Sequence, residues 1–360
     1  MNGLNWKDTR TEVKAMAERF VAAPEVVCYV LGTNAYGAAM VPWLKSRGRA
    51  VEGFINDSRA GDRFEDLPVI AMAQVPADAA LVNCIVEGRA VEARNNLLSR
   101  QPAVYADYFM LQASAPGELP EIQFMAATAT IEKDREAYER LYERLADDLS
   151  KQTLEQLLNF RWNRDIRFLE DFKFRLHEQY FEPFVELSEQ PAFVDGGGFD
   201  GATSKIFASL HPDHRDIYYF EPNTGSFEQS KQQLKGVPHV RLFKKGLWHE
   251  DAVLHFDGSM GSASKLSDTG GVSIETTSID AVVNGPVHFI KLDIEGAELN
   301  ALQGAEATIR RERPVLAVCV YHDQQDFWRI PEQVLQYHPD YKVYLRHYTQ
   351  GVFETVMYFV

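Results

Sequence analysis

The chain has 360 residues, 45% apolar and 25% charged, which is enough for two domains with their own cores and excludes a disordered or fibrous protein. With 37 basic against 52 acidic residues the net charge is −15, a field that repels phosphate backbones and anionic headgroups, so neither a nucleic-acid nor a membrane partner is expected. Cys28, Cys84 and Cys319 lie far apart in apolar runs, and the sequence shows neither a basic-then-apolar leader nor a run near the ~20 apolar residues of a membrane span, so a reducing cytoplasmic location is expected.

In chain order, a leading helix to about Phe20 precedes the apolar run Val26–Leu31, which reads as a buried strand. Gly32 to Gly37 then turns into a helix ending near Gly48, and Val51–Ile55 forms a second strand. Leu67–Ile70, Ala80–Ile85 and Ala103–Tyr105 add strands, with a helix at Ala90–Ser99. This makes residues 1–125 a small Rossmann-like α/β domain, either structural or dimerising, or recognising a nucleotide-linked or glycan acceptor. From 126 to 190 the sequence turns charged and helical in period, with Ile131, Tyr138, Leu141, Leu145 and Leu149 on one face, and is read as a helical bridge.

Residues 191–360 resume strand–helix alternation, which implies an α/β fold with a parallel sheet covered on both faces. Phe193–Val194, Tyr218–Phe220, Val240–Phe243, His288–Asp293 and Val315–Val320 read as strands. Helices are expected from Gly201, over Thr224–Lys235 and over Glu295–Arg311. Tyr341–Tyr348 and Phe353–Val360 flank a Thr349-Gln350-Gly351 turn and must form an antiparallel hairpin, the ending expected of a class I methyltransferase sheet.

Ligands of open parallel sheets bind beyond the carboxyl ends of the strands, and the residues ending these strands are Asp195, Glu221, Asp293 and His322. Asp195 opens the turn Gly196-Gly197-Gly198-Phe199-Asp200-Gly201, where Gly196, Gly197 and Gly201 are expected to let backbone approach a ligand. Glu221 closes the next strand and suits a ribose diol. A dinucleotide would present its pyrophosphate to this first turn, where the Asp195 carboxylate repels it. S-adenosyl-L-methionine presents an ammonium and a sulfonium instead, so it is the favoured cofactor.

The run Ile290-Lys291-Leu292-Asp293-Ile294-Glu295-Gly296-Ala297-Glu298 concentrates charge where a strand meets a helix, with Asp293 at the tip placed to touch cofactor or acceptor. Glu295 and Glu298 are read either as helix-dipole compensation or as part of the site. His322, ending an apolar strand on the same side, is the first candidate base for an acceptor hydroxyl, and Asp293 the second. Two nearby acids, Asp293 and Glu295, are too few to indicate a hard-cation site, so no metal is expected.

Taken with Phe220-Glu221-Pro222, Thr277-Ser278-Ile279-Asp280 and Ala301-Leu302-Gln303-Gly304-Ala305, these motifs resemble the FkbM-type methyltransferases over about residues 165–360. The resemblance implies S-adenosylmethionine-dependent O-methylation of a sugar, glycan or natural-product hydroxyl. It also implies cofactor contacts at Asp195, Gly197, Gly201 and Glu221, with Asp293 near the methyl group. The acceptor is expected to be a small molecule or glycan held by loops, the segment Asp257 to Gly271 being read as a lid, and a homo-oligomer is compatible with the sequence. Rival readings are a nucleotide-binding oxidoreductase and a non-catalytic protein that keeps the cofactor fold.

Overall fold

The computed structural model describes residues 3–256 and 272–360, so the segment read as a lid, Asp257 to Gly271, lies outside the described residues. The chain divides into two compact units. One comprises residues 1–133, 152–176 and 347–353; the other comprises 134–151, 177–346 and 354–360.

The first unit is a six-stranded sheet ordered β3-β4-β2-β1-β5-β6, from β1 (Cys28–Leu31), β2 (Val51–Ile55), β3 (Arg63–Phe64), β4 (Leu67–Ile70), β5 (Ala80–Asn83) and β6 (Val104–Asp107). All neighbouring pairs are parallel except β3 with β4. Its helices are α1 (Arg10–Val21), α2 (Ala35–Lys45), α3 (Ala90–Leu98), α4 (Tyr108–Ser114) and α5 (Thr128–Lys133). The Gly32–Gly37 turn is tight, for a Cβ on Gly37 would lie 2.0 Å from the Gly32 carbonyl oxygen.

Helices α6 (Arg135–Arg144) and α7 (Asp148–Asn163) follow. The stretch 126–190, read as a helical bridge, is divided between the two units. The buried Tyr138 and Leu141 belong to the second unit, whereas most of α7 belongs to the first. An amphipathic helix gains stability only by burying its apolar stripe on a core, and here it does so within a unit. The turn at 349–351, expected within the methyltransferase domain, falls with the first unit: the Gln350 backbone N–H donates to the Gly88 carbonyl (2.7 Å) and its side chain to that of Phe172 (3.0 Å).

The second unit carries β7 (Phe193–Gly196), α8 (Ala202–Leu210), β8 (Ile217–Phe220), α9 (Thr224–Gln233), β9 (Val240–Phe243), β10 (Gly246–Leu247), β11 (Ala252–Phe256), β12 (Val272–Thr277), α10 (Ile279–Val282) and β13 (Phe289–Leu292). It continues with α11 (Glu298–Gln303), α12 (Glu306–Glu312), β14 (Val315–Cys319), α13 (Asp326–Tyr337), β15 (Val343–His347) and β16 (Thr355–Phe359). Seven strands form one sheet ordered β15-β16-β14-β13-β7-β8-β9, and β10, β12 and β11 form a small second one. β7, β8, β9, β13 and β14 run parallel, β16 runs antiparallel to β14, and the expected hairpin closes the edge. The strands succeed one another to one side of β7 and then resume on its other side at β13, so a topological switch point opens at their carboxyl ends.

The single helix expected over Glu295–Arg311 is two. Glu295 and Gly296 take left-handed backbone conformations (φ 58° and 96°), which delays the first helix to Glu298. The second begins only after Gly304, where a Cβ would lie 2.2 Å from the Trp248 carbonyl oxygen.

Candidate active site

The turn leaving β7 is drawn inward by its neighbours. The N–H groups of Gly197 and Gly198 both donate to the Phe220 carbonyl at the end of β8 (3.0 Å each). A Cβ at Gly197 would lie 1.8 Å from the Asp293 carbonyl oxygen, and one at Gly198 would lie 1.9 Å from the Tyr219 ring. The bareness of Gly197, expected to let backbone approach a ligand, is thus already required for the turn to close on β13, and that of Gly198 for it to close on Tyr219. Gly201 follows in a left-handed conformation as the N-cap of α8.

Asp195 is fully buried. Its Oδ2 accepts from Ser204 Oγ at 2.6 Å, and its Oδ1 lies 3.1 Å from Lys291 Nζ. That ammonium donates also to the carbonyls of Gly196 (3.0 Å) and Gly197 (2.5 Å). Burial disfavours the charged lysine, but Asp195 and then Asp293 outweigh it and hold its pKa above the ordinary value. The expectation that Asp195 meets a ligand ammonium directly differs from this geometry, because its charge is answered inside the protein. Asp195 fixes Lys291, and Lys291 fastens the glycine turn.

Glu221, 8% exposed, anchors the other side of the crevice. Its Oε2 accepts from the Phe199 N–H (3.0 Å) and its Oε1 from the Asn223 N–H (2.7 Å). An ionised carboxylate offers about four lone-pair sites, so each oxygen keeps capacity for one further donor, as a ribose diol requires. Burial above all raises its pKa.

Asp293, just past β13, gathers donors from several elements. Its Oδ2 accepts from Tyr180 Oη (2.9 Å) and its Oδ1 from Tyr321 Oη (3.2 Å), with His322 Nε2 at 3.6 Å. Burial alone would raise its pKa, but Lys291, then His322 and the Tyr180 hydroxyl, bring it below the usual value. His322 meets three carboxylates: Nδ1 is 2.9 Å from Glu298 Oε1, and Nε2 is 3.6 Å from Glu295 Oε2 as well as from Asp293. Burial opposes the charged ring, yet Glu298 foremost, then Asp293 and Glu295, raise its pKa to about 9. The ring therefore carries its proton at neutral pH. Among the described residues no group of three or more His, Cys, Asp or Glu is arranged to hold a metal ion.

Of the residues singled out in the sequence, Asp195, Gly196, Gly197, Gly201, Glu221, Asp293 and His322 all lie at the carboxyl ends of β7, β8, β13 and β14. Sequence reasoning missed Ser204, the fastening role of Lys291, the Glu298–His322 pair, and the two phenols. Lys291 alone gave a local signal, as a charge inside an apolar strand two residues before Asp293. Tyr180 gave none, being 113 positions from its partner.

The Methyltransferase FkbM domain family matches residues 195–350. Among solved structures, methyltransferase FkbM from Methylobacillus flagellatus KT is 21% identical, with 97% of this chain and 98% of that one covered at a TM-score of 0.73. An rRNA methylase from Streptococcus thermophilus (17% identity, 48% and 88% covered, TM-score 0.31) and Aeropyrum pernix fibrillarin in complex with natively bound S-adenosyl-L-methionine (9%, 51% and 72%, 0.34) are more distant. No curated protein matches the chain. Residues 195–350 thus match the Methyltransferase FkbM domain, in a chain whose fold resembles that of an FkbM methyltransferase.

Proposed function

We propose that the protein is an S-adenosyl-L-methionine-dependent O-methyltransferase acting on a hydroxyl of a sugar, glycan or natural product. The observation that carries the cofactor reading is Glu221. It is a buried carboxylate that, among the described residues, takes one hydrogen-bond donor on each oxygen, held by two backbone N–H groups beside a glycine turn and across a switch point from Asp293. These residues fit an adenosyl ligand at its ribose end. When bound, the cofactor supplies a methyl group on a sulfonium, ready for in-line displacement by an acceptor oxygen.

The chain's own contribution is alignment. Glu221 fixes the nucleoside, and the fastened turn gives it a rigid floor; most of the acceleration then comes from proximity and orientation. Asp293, a carboxylate fixed by two phenols, is the group to take the proton of an acceptor hydroxyl in this reading. His322, protonated and 8% exposed, keeps positive charge beside Asp293 and balances Glu298. The acid-rich strand ends suit hydroxyl donors, since carboxylates accept but cannot donate.

Calorimetric titration with S-adenosyl-L-methionine and S-adenosylhomocysteine, with NAD as the competing ligand, tests the cofactor. Heat with neither sulfur nucleoside sinks the reading. Mass spectrometry over a panel of hydroxyl, amine and carboxyl acceptors tests the reaction: a methyl gain confined to amines would overturn O-methylation. Binding without turnover across the whole panel would favour the non-catalytic rival.

A further inference from the structure

We infer that Tyr180 is a positioning residue for methyl transfer, whose phenol holds the Asp293 carboxylate in the orientation that faces the sulfonium of the bound cofactor. This rests on the cofactor reading above.

Tyr180 is built into an unfavourable place. Its backbone is left-handed (φ 73°), an outlier for a bulky residue that persists only when its surroundings hold it there. Two contacts do so: its N–H donates to Tyr358 Oη on β16 (3.0 Å), and its hydroxyl lies 3.6 Å from Cys319 Sγ on β14. Gln179 Nε2 also donates to that hydroxyl (3.2 Å), leaving the phenolic proton for Asp293 Oδ2 at 2.9 Å. The residue is 6% exposed, so water does not compete for the bond. The ring centroid lies 5.4 Å from Lys291 Nζ, which places the phenol against the strand that carries Asp293.

The carboxylate needs this help. Lys291 and His322 favour its charge, but Glu295 on its own turn and Glu354 before β16 oppose it. Gln179 Nε2 bonds Glu354 Oε2 (2.6 Å) as well as the phenol, so one amide ties the competing acid to the clamp. A phenolic donor favours the ionised carboxylate and fixes which oxygen turns inward. Glu221 and Asp293 end strands two places apart, about 10 Å at the usual strand spacing, a span that an adenosyl group and its sulfonium cover.

The experiment compares two ligands differing in one charge. S-adenosyl-L-methionine carries the sulfonium and S-adenosylhomocysteine a neutral thioether, so the ratio of their dissociation constants reports negative charge at the sulfur. Calorimetry on the full chain is expected to show the preference for the charged ligand falling about tenfold in Asp293→Asn and about threefold in Tyr180→Phe, with S-adenosylhomocysteine affinity held within about twofold. A merely structural tyrosine would weaken both ligands together, and that result overturns the inference. So does an unchanged ratio in either variant. Failure of the unaltered protein to bind either nucleoside overturns the cofactor reading itself, and the inference with it.

Discussion

Lys291 Nζ stands 3.1 Å from Asp195 Oδ1 with the two side chains 3% and 0% exposed, so a complete ion pair is sealed beneath the glycine turn. Removing one partner of such a pair strands the other charge in a medium that cannot solvate it. Asp195→Asn is therefore expected to destabilise the second unit by about 3–5 kcal/mol. Adding Lys291→Met to Asp195→Asn should restore part of that stability, because no unpaired charge then remains. Urea unfolding checks this, and a double variant no more stable than Asp195→Asn would refute the pairing argument.

The glycine turn predicts a contrast between two alanine substitutions. Gly197→Ala forces a left-handed alanine (φ 69° at present) and drives its methyl into the Asp293 carbonyl, costing well over the ~1 kcal/mol of the backbone term alone. Gly285→Ala meets nothing nearer than Tyr218 Oη at 3.9 Å and should stay within about 0.5 kcal/mol of the unaltered protein. Thermal melts of the pair decide the matter; equal melting temperatures would count against the packing described.

At Glu221, exchange of carboxylate for amide replaces one acceptor oxygen by a donor. Glu221→Gln is expected to weaken S-adenosylhomocysteine binding roughly 10- to 100-fold, the range of one lost hydrogen bond to a charged group. Unchanged affinity in calorimetry would remove this residue from the ribose site.

The Glu298–His322 pair makes stability depend on pH with a definite sign. The folded ring has a pKa raised to about 9 from an ordinary 6.5, so its contribution is complete below about pH 6.5 and is lost as pH rises through 9. The full effect is on the order of 3 kcal/mol. Asp326, pushed to about 8 by burial and then by Glu298, adds a loss of the same sign as pH rises. Denaturant midpoints measured from pH 6 to pH 9.5 should fall, and Glu298→Gln should flatten the curve while moving the His322 ring titration, followed by NMR, downward. A ring titrating near 6.5 in the unaltered protein would contradict the pairing.

Much of the second unit was legible because short apolar runs end in polar or charged residues, a pattern that buried parallel strands impose directly. Phe193–Gly196, Ile217–Phe220, Phe289–Leu292 and Val315–Cys319 all sit where their hydropathy placed them. Helix α13 went unread, since Pro331 interrupts its period, although Phe327, Ile330, Val334 and Tyr337 line one buried face. The break at Gly304 was also hidden, for its cause is the Trp248 carbonyl, a contact that spacing does not encode. In the site, strand ends could be located from local sequence, but not what each side chain meets there. Asp195 and Glu221 both end strands as acids; Lys291 engages the first, whereas the second accepts from the backbone N–H groups of Phe199 and Asn223.

Synthesis on the ribosome meets an ordering problem in this chain. The first unit takes its final piece from residues 347–353, where Arg161 Nη2 donates to the Val352 carbonyl (2.9 Å) and Gln350 bonds Gly88. Its opening 133 residues emerge long before that piece exists, so the usual sequence of amino-terminal domain first is unavailable. The nascent amino-terminal part must wait, incompletely closed, until residues 347–353 have been made, and a stop codon anywhere before position 347 would leave both units unfinished.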